Sequence, residues 1–338
     1  MYKLLFFLIL STSIYSQENT PPPPPEEIEK ELQSAKDEFE RAQKLFNPWY
    51  SGPLLTGSGN TFSPGKYGIQ PYLYVTDNYA RFNENGNSSS ISNLLVVNPL
   101  LSVTTGITKS VEIATDFSWF YKDQSDTSAT GFSDVGVRIG LGLAKETLTT
   151  PAVKVNIKEI FPSGRYESLD PTKNGLDATG GGSYKTLVGL AASKIVLWSD
   201  LHPMMLRGSI SVILPADVHV NGFNAYGGGF GTDGIVSPGK GLSCAFAFEY
   251  SITQHWVFAN DFVYGYTTEK TFRGTPGIKA DGSPATVGGP FSDNFSIAPA
   301  IEYLPTQNLN FIVGVWASLW GRNSLKFVSG VFSVYYSF

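Results

Sequence analysis

The sequence predicts an all-β protein: a transmembrane up-and-down antiparallel β-barrel of about twelve strands, with a short N-terminal periplasmic α-helix. Three observations carry that expectation. Only 16% of the 338 residues are charged, against 14% that are aromatic and 35 that are Gly; soluble domains average roughly a quarter charged residues. From Lys66 onward, apolar and polar residues alternate with the period of a strand whose two faces meet different surroundings. Long polar linkers alternate with short ones along the same region, as outer loops and periplasmic turns do in a barrel.

Residues 1–16, MYKLLFFLILSTSIYS, hold one Lys, an apolar run from Leu4 to Leu10, and then small and hydroxyl residues. This is the layout of a secretory signal peptide, with cleavage after Ser16 or Ser13. The run is too short for a membrane anchor, which needs roughly 18 or more apolar residues, and no Cys follows it for lipid attachment. Later apolar stretches are all interrupted by Lys, Asp, Gly or Pro. A membrane-embedded chain must then cross as strands in a closed barrel, where every backbone group is paired.

Residues 17–25 form a Pro-rich linker ending in five consecutive Pro, a stiff extended spacer. An amphipathic helix is predicted over 26–46, where Ile28, Leu32, Ala35, Phe39, Ala42 and Phe46 alternate spacings of four and three. Early acids and the late Arg41 and Lys44 suit the two ends of its dipole, and Asn47-Pro48 stops it. Two readings are open: a helix resting on the barrel mouth or lying in the periplasm, or one that self-associates or docks with a periplasmic partner. A connector over 47–65 then leads to the barrel, 66–338.

The period-two grammar is plainest in VEIATDFSWFY. Val111, Ile113, Thr115, Phe117, Trp119 and Tyr121 share one face; Glu112, Ala114, Asp116 and Ser118 share the other. DVGVRIGLGL sets Val135, Val137, Ile139, Leu141 and Leu143 against Asp134, Gly136, Arg138, Gly140 and Gly142. Similar segments near 66–76, 92–105, 152–161, 183–194, 204–214, 241–251, 256–267, 292–304, 309–320 and 326–338 complete the set. Each has about ten residues or more, enough for a tilted strand to cross a bilayer. Long outer loops are expected at 77–91, 122–131, 162–182, 215–240 and 268–291, and a tight hairpin between Gly321 and Leu325.

A soluble β-sandwich would put polar residues where this chain puts Phe117, Trp119, Phe295, Ile297, Phe332 and Tyr336. Those side chains need a nonpolar surrounding, and outer-membrane lipid supplies it. The last strand alternates Phe332, Val334, Tyr336 and Phe338, so the chain ends on a ring. That ending resembles the signal by which outer-membrane proteins engage the barrel-assembly machinery, which makes Phe338 the expected contact.

The blocks GFSDVGVRIGLGL (131–143), NIKEIFPSGRYESLD (156–170) and GGGSYKTLVGLAASK (180–194) together resemble the outer-membrane family labelled as transporters of the MetA pathway of phenol degradation. The resemblance covers Gly131 to Lys194. It implies a twelve-stranded barrel that moves small, often hydrophobic, solutes; the Pro-rich linker and helix are not part of that family's core.

Other chemistries find little support. A net charge of −5 without Lys/Arg clusters excludes a nucleic-acid footprint. The single Cys244 forms no internal disulfide and sits on the apolar face with Leu242, Phe246 and Phe248; no zinc spacing occurs, so neither a metal nor a cofactor is expected. His202 and His255 fall in short turns and read as solvated polar residues. His219-Val220-Asn221-Gly222 resembles the His-x-Ser-Asn-Gly of outer-membrane phospholipase A without its Ser. The Gly-rich runs GGGSYK and YGGGFG lack the strand-loop-helix setting of a phosphate cradle and read as loop flexibility. The chain is not expected to be an enzyme.

The lumen remains. Taking polar strand faces as inward gives Glu112, Asp116, Asp134, Arg138, Lys154, Lys158, Arg207, Glu249, Asp261 and Glu302 as lumen-lining candidates, with Asn156 among them. Charges inside a barrel must be wet or paired. They either pair with one another as filler or line a narrow polar pathway that selects its solute. The expected function is passive uptake of a small solute, hydrophobic or aromatic, by an outer-membrane channel. A structural or adhesive surface barrel with a closed lumen is the alternative, and an outer-membrane hydrolase a further one.

Overall fold

The computed structural model describes residues 24–45, 49–199, 202–279 and 281–338. The expected signal peptide, residues 17–23 of the expected linker, and Phe46 and Asn47-Pro48 at the expected end of the helix lie outside them. The expected helix is α1 (Pro25–Leu45), with Glu26 and Glu27 in its first turn, where the helix dipole favours acids. Gln33 donates to Asp37 one turn on, at 2.7 Å, while Ile28 and Leu32 of the apolar seam are exposed.

The strands in chain order are β1 (Tyr67–Phe82), β2 (Ser88–Thr108), β3 (Val111–Gln124), β4 (Thr127–Phe132), β5 (Val135–Ala144), β6 (Ala152–Phe161), β7 (Lys185–Ser199) and β8 (His202–Pro215). They continue with β9 (Val218–Asn221), β10 (Asp233–Ser237), β11 (Gly241–Ser251), β12 (Trp256–Thr267), β13 (Thr271–Thr275), β14 (Ser292–Thr306), β15 (Leu309–Arg322) and β16 (Leu325–Ser337). Antiparallel neighbours run β1, β2, β3, β5, β6, β7, β8, β11, β12, β14, β15, β16 and back to β1. Twelve strands therefore close a barrel, and each segment expected from the alternation is one of its staves. Strand β4 extends β5 beyond the membrane and pairs with the upper part of β3. Strands β9, β10 and β13 form a separate three-stranded sheet contributed by the loops at the same end.

Closure is tight where the first and last barrel strands meet: Tyr67 and Phe338 exchange both backbone hydrogen bonds at 3.0 Å, and their rings stack with centroids 5.6 Å apart. The outward face is the lipid face. Ile113, Ile139 and Ile157 stand side by side on β3, β5 and β6, 39%, 43% and 42% exposed, and the row continues through Val188 and Val212. Exposed rings flank this belt: Tyr67, Trp256, Tyr303 and Phe338 near the short turns, Phe132, Tyr184 and Trp320 near the loops. Such girdles mark the two interfaces of a membrane-spanning barrel. An Ile139→Arg substitution near mid-belt is expected to cost about 2–4 kcal/mol, read as a lower urea midpoint for the protein folded in lipid vesicles. An unchanged midpoint would contradict the lipid assignment.

Two of the expected outer loops are corrected. Residues 77–91 and 122–131 are polar because their strands rise above the membrane, not because they are loops. The ladder continues through Ala80↔Ser90 and Phe82↔Ser88, and Asn83 closes the turn by accepting from the backbone N–H groups of Asn85 and Asn87 at 2.9 and 3.0 Å. In the second hairpin Ser125 and Asp126 both take left-handed φ, 50° and 65°, the turn that matches strand twist. The loops at 162–182, 215–240 and 268–291 are long as expected, and the last hairpin is tight.

Candidate functional site in the barrel lumen

Residues 49–65 hold no regular element, yet they are fastened to the inner wall at many points. Tyr50 donates its hydroxyl to Pro203 O at 2.7 Å and accepts from Ser251 at 2.8 Å. Thr56 gives its N–H and hydroxyl to Asp261 Oδ1 at 2.8 and 2.6 Å. Gly59 N–H donates to Ser193, Lys154 to Asn60 O at 2.8 Å, and Phe62 N–H to Glu112 Oε2 at 2.9 Å. Leu54, 3% exposed, packs on Ala259, Ala298, Ala300, Ile312 and Val331. These partners lie on strands all round the barrel, so the expected connector crosses the lumen near its short-turn end. A cavity of about 580 Å³ remains between this inner segment and the wall.

The wall facing it carries most of the predicted charges. Lys154 meets Glu112 at 2.7 Å, and Arg138 approaches the same carboxylate at 3.7 Å. Arg207, 3% exposed, holds Glu249, 0% exposed, through Nε at 2.5 Å and Nη2 at 3.3 Å. Glu302 lies beside Glu249 and takes a hydrogen bond from Asn310 at 3.1 Å. Lys158 pairs with Asp116 at 2.6 Å, further from the inner segment and about one quarter exposed on each side. These are the positions where a strand inside a lipid belt can keep a charge, because the outward face would strand it in hydrocarbon.

Not every buried acid oxygen is bonded. Glu249, Glu302 and Asp261 share one short arc of wall with Arg207 as the cation bonded among them, and Glu302 Oε1 and Asp261 Oδ2 have no hydrogen-bond partner among the described residues. Asp134 departs from the expectation. It sits at the break between β4 and β5, where its two oxygens accept from Gly164 and Gly181 N–H at 3.0 Å each. It ties down the outer loop and does not project freely into the lumen.

Sequence reasoning missed a row of inward rings. Tyr72 and Tyr74 on β1 stack with centroids 5.7 Å apart, Trp316 on β15 meets Tyr74 edge-on at 6.3 Å, and Phe327 on β16 meets Trp316 at 4.8 Å. Trp316 Nε1 donates to Ser296 at 2.9 Å. Rings were expected outward, so only their parity against Leu73 and Val75, both outward and exposed, signals that these face in. Also missed was the pair Arg322 and Asp293 near the loop end, with Asp293 2% exposed.

The remaining candidates resolve differently. His202 and His255 are not merely solvated: their Nδ1 atoms bond the backbone oxygens of Ser251 and Leu304 at 2.9 and 2.7 Å, joining neighbouring turns. His219 on β9 lies in the outer cap, 2.9 Å from Asp233 and 3.4 Å from Asn221, with no Ser hydroxyl bonded to it among the described residues. The glycine runs are closely packed. A Cβ at Gly180 would stand 2.3 Å from Asp134 Oδ1, one at Gly182 (φ +67°) 2.3 Å from the Tyr166 ring, and one at Gly229 2.1 Å from Ile278 O. Cys244 is a free thiol of intermediate exposure.

The fold is that of an outer-membrane barrel. It is similar to the crystal structure of an outer membrane channel from Pseudomonas putida F1, with a TM-score of 0.65 at 13% identity, over 85% of this chain and 100% of that one. The β domain of the Bordetella autotransporter BrkA (TM-score 0.44, 7% identity, 82% of this chain and 100% of that one) and a TodX monoaromatic hydrocarbon channel (0.40, 11%, 81% and 90%) are more distant. No family model matches the chain. No curated protein matches it in sequence either. The likeness to the Pseudomonas putida structure therefore supports the barrel fold that the resemblance at 131–194 implied, and leaves the phenol-pathway label without support.

Proposed function

We propose that this chain is a passive outer-membrane channel for a small solute with an apolar, ring-bearing body. One observation carries the reading: the lumen is closed at its short-turn end by a single segment, residues 49–65, which is attached through polar contacts and the packing of Leu54 and belongs to no stave of the wall. Above that segment the wall offers rings on one arc, Tyr72, Tyr74, Trp316 and Phe327, and exchangeable charges on another, Asp116, Lys158 and Arg138. Flat solutes slide along rings at little cost because every such contact is replaced by a similar one. Opposed charges at the constriction set which ions accompany them.

Chain delivery through the barrel-assembly machinery, engaged by Phe338, fits this reading, and the exposed Ile28 and Leu32 support docking or self-association as the role of α1. Planar-bilayer recording tests the function. Neutralising both partly exposed cations, Arg138→Gln with Lys158→Gln, leaves Asp116 unopposed. The reversal potential in a salt gradient should shift several-fold in permeability ratio toward cations. An unmoved reversal potential would take these residues off the path. A folded protein that never opens, with or without its inner segment, would instead favour a structural surface barrel.

A further inference from the structure

We propose that the cavity beneath the outer cap binds a small carboxylate carried on an apolar body, with Lys185 and Lys270 as its anion contacts. The proposal rests on the channel reading and names the solute class for it. The cavity measures about 550 Å³ and lies where the upper ends of β3, β7, β8 and β12 meet the three long loops. Its size falls in the range of small-molecule sites.

Three ammonium groups line it, those of Lys122, Lys185 and Lys270. Lys122 is used: it donates to Ala178 O. Lys185 and Lys270 have no hydrogen-bond or ion-pair partner for their amines among the described residues. The cavity's carboxylate, Asp134, offers them little, because each of its oxygens already accepts from a loop N–H, Gly164 and Gly181, at 3.0 Å. Tyr226 donates its hydroxyl to Gly181 O at 2.6 Å, which fixes the loop against which Lys185 Nζ lies, 3.1 Å from where a Cβ on Gly181 would be. Burial, followed by the nearby charges of Lys185 and Arg81, holds the Lys270 ammonium below the usual lysine range. Cations gathered without counter-charge are costly until an anion joins them.

The rest of the lining decides what kind of anion. Ile213, Pro215 and Pro238 give the cavity an apolar side, which bare phosphate would leave unused and a carboxylate on a hydrocarbon or aromatic body would cover. A lipid phosphate is not the occupant. Lys185 is an inward position of β7, next to the outward Tyr184, 55% exposed, so the headgroup layer outside the barrel does not reach it.

Isothermal titration of the full chain in detergent with benzoate, benzyl alcohol and inorganic phosphate tests the site, with heat-modifiable gel migration as the control for folding. Benzoate should bind, benzyl alcohol and phosphate should bind more weakly, and K185Q/K270Q should weaken benzoate by roughly tenfold or more. The charge-preserving K185R/K270R should retain it, and added salt should weaken it. Equal binding of benzyl alcohol, phosphate as tight as benzoate, no benzoate binding, or an unchanged double variant overturns the proposal. Bilayer recordings separate the two readings. Channels that open normally without benzoate binding remove this inference alone, whereas lysine-dependent binding by a protein that never opens removes the channel reading and leaves the site.

Discussion

Deleting residues 49–63 should raise single-channel conductance several-fold while leaving the barrel folded. No strand pairing includes these residues, so the twelve-stave wall and its heat-modifiable migration should persist. Their removal frees Asp261, Glu112 and Ser193 to face water and opens the short-turn end. Wet carboxylates cost little compared with buried ones, so the stability change should be modest. A point variant gives a milder version. At Gly59 a Cβ would lie 2.3 Å from Ala152 O, so Gly59→Val should displace the segment and lengthen open times. Unaltered conductance in both variants would show that the closure lies elsewhere.

Arg207→Ala should be the most damaging single substitution in the wall. It leaves Glu249, 0% exposed, with no cation, beside a second carboxylate on Glu302. Breaking a buried pair by removing one member costs about 3–5 kcal/mol, read as a lost or lowered urea midpoint in vesicles. Arg207→Ala combined with Glu249→Gln should recover part of that loss, because the residues in contact are coupled. If the double variant is as unstable as the single one, the contribution of Arg207 lies in its contacts with the inner segment, such as its Nη2 donating to Tyr50 O at 3.4 Å.

The staves were legible because lipid demands one apolar face, and VEIATDFSWFY can satisfy it in only one register. The same demand made Glu112, Lys154, Lys158 and Arg207 legible as inward: a charge in such a strand has nowhere else to go. Their partners were less so, since pairing depends on register, and Asp134 at a strand break obeys no alternation. The inner segment left no local sign. WYSGPLLTGSGNTFS reads as a polar connector, and its identity lies in contacts such as Thr56 with Asp261, 205 residues away. Asn83, Ser125 and the Gly180–Gly182 run misled in a common way: their composition indicates loops, while their role is set by strands and loops that pass close by.

The seam between β1 and β16 has a consequence for the order of folding. Every other neighbouring pair in the wall joins consecutive staves, with at most an outer loop and its short strands between them, so those pairs can form as the polypeptide arrives. The seam joins Gly68 to Ser337, and contacts of such long sequence separation are the slowest to form. The half-built cylinder must wait with a naked edge at each side, the arrangement most prone to aggregation. A chain cut short by the 13 residues of the last stave would wait indefinitely, with β1 and β15 as its unsealed margins.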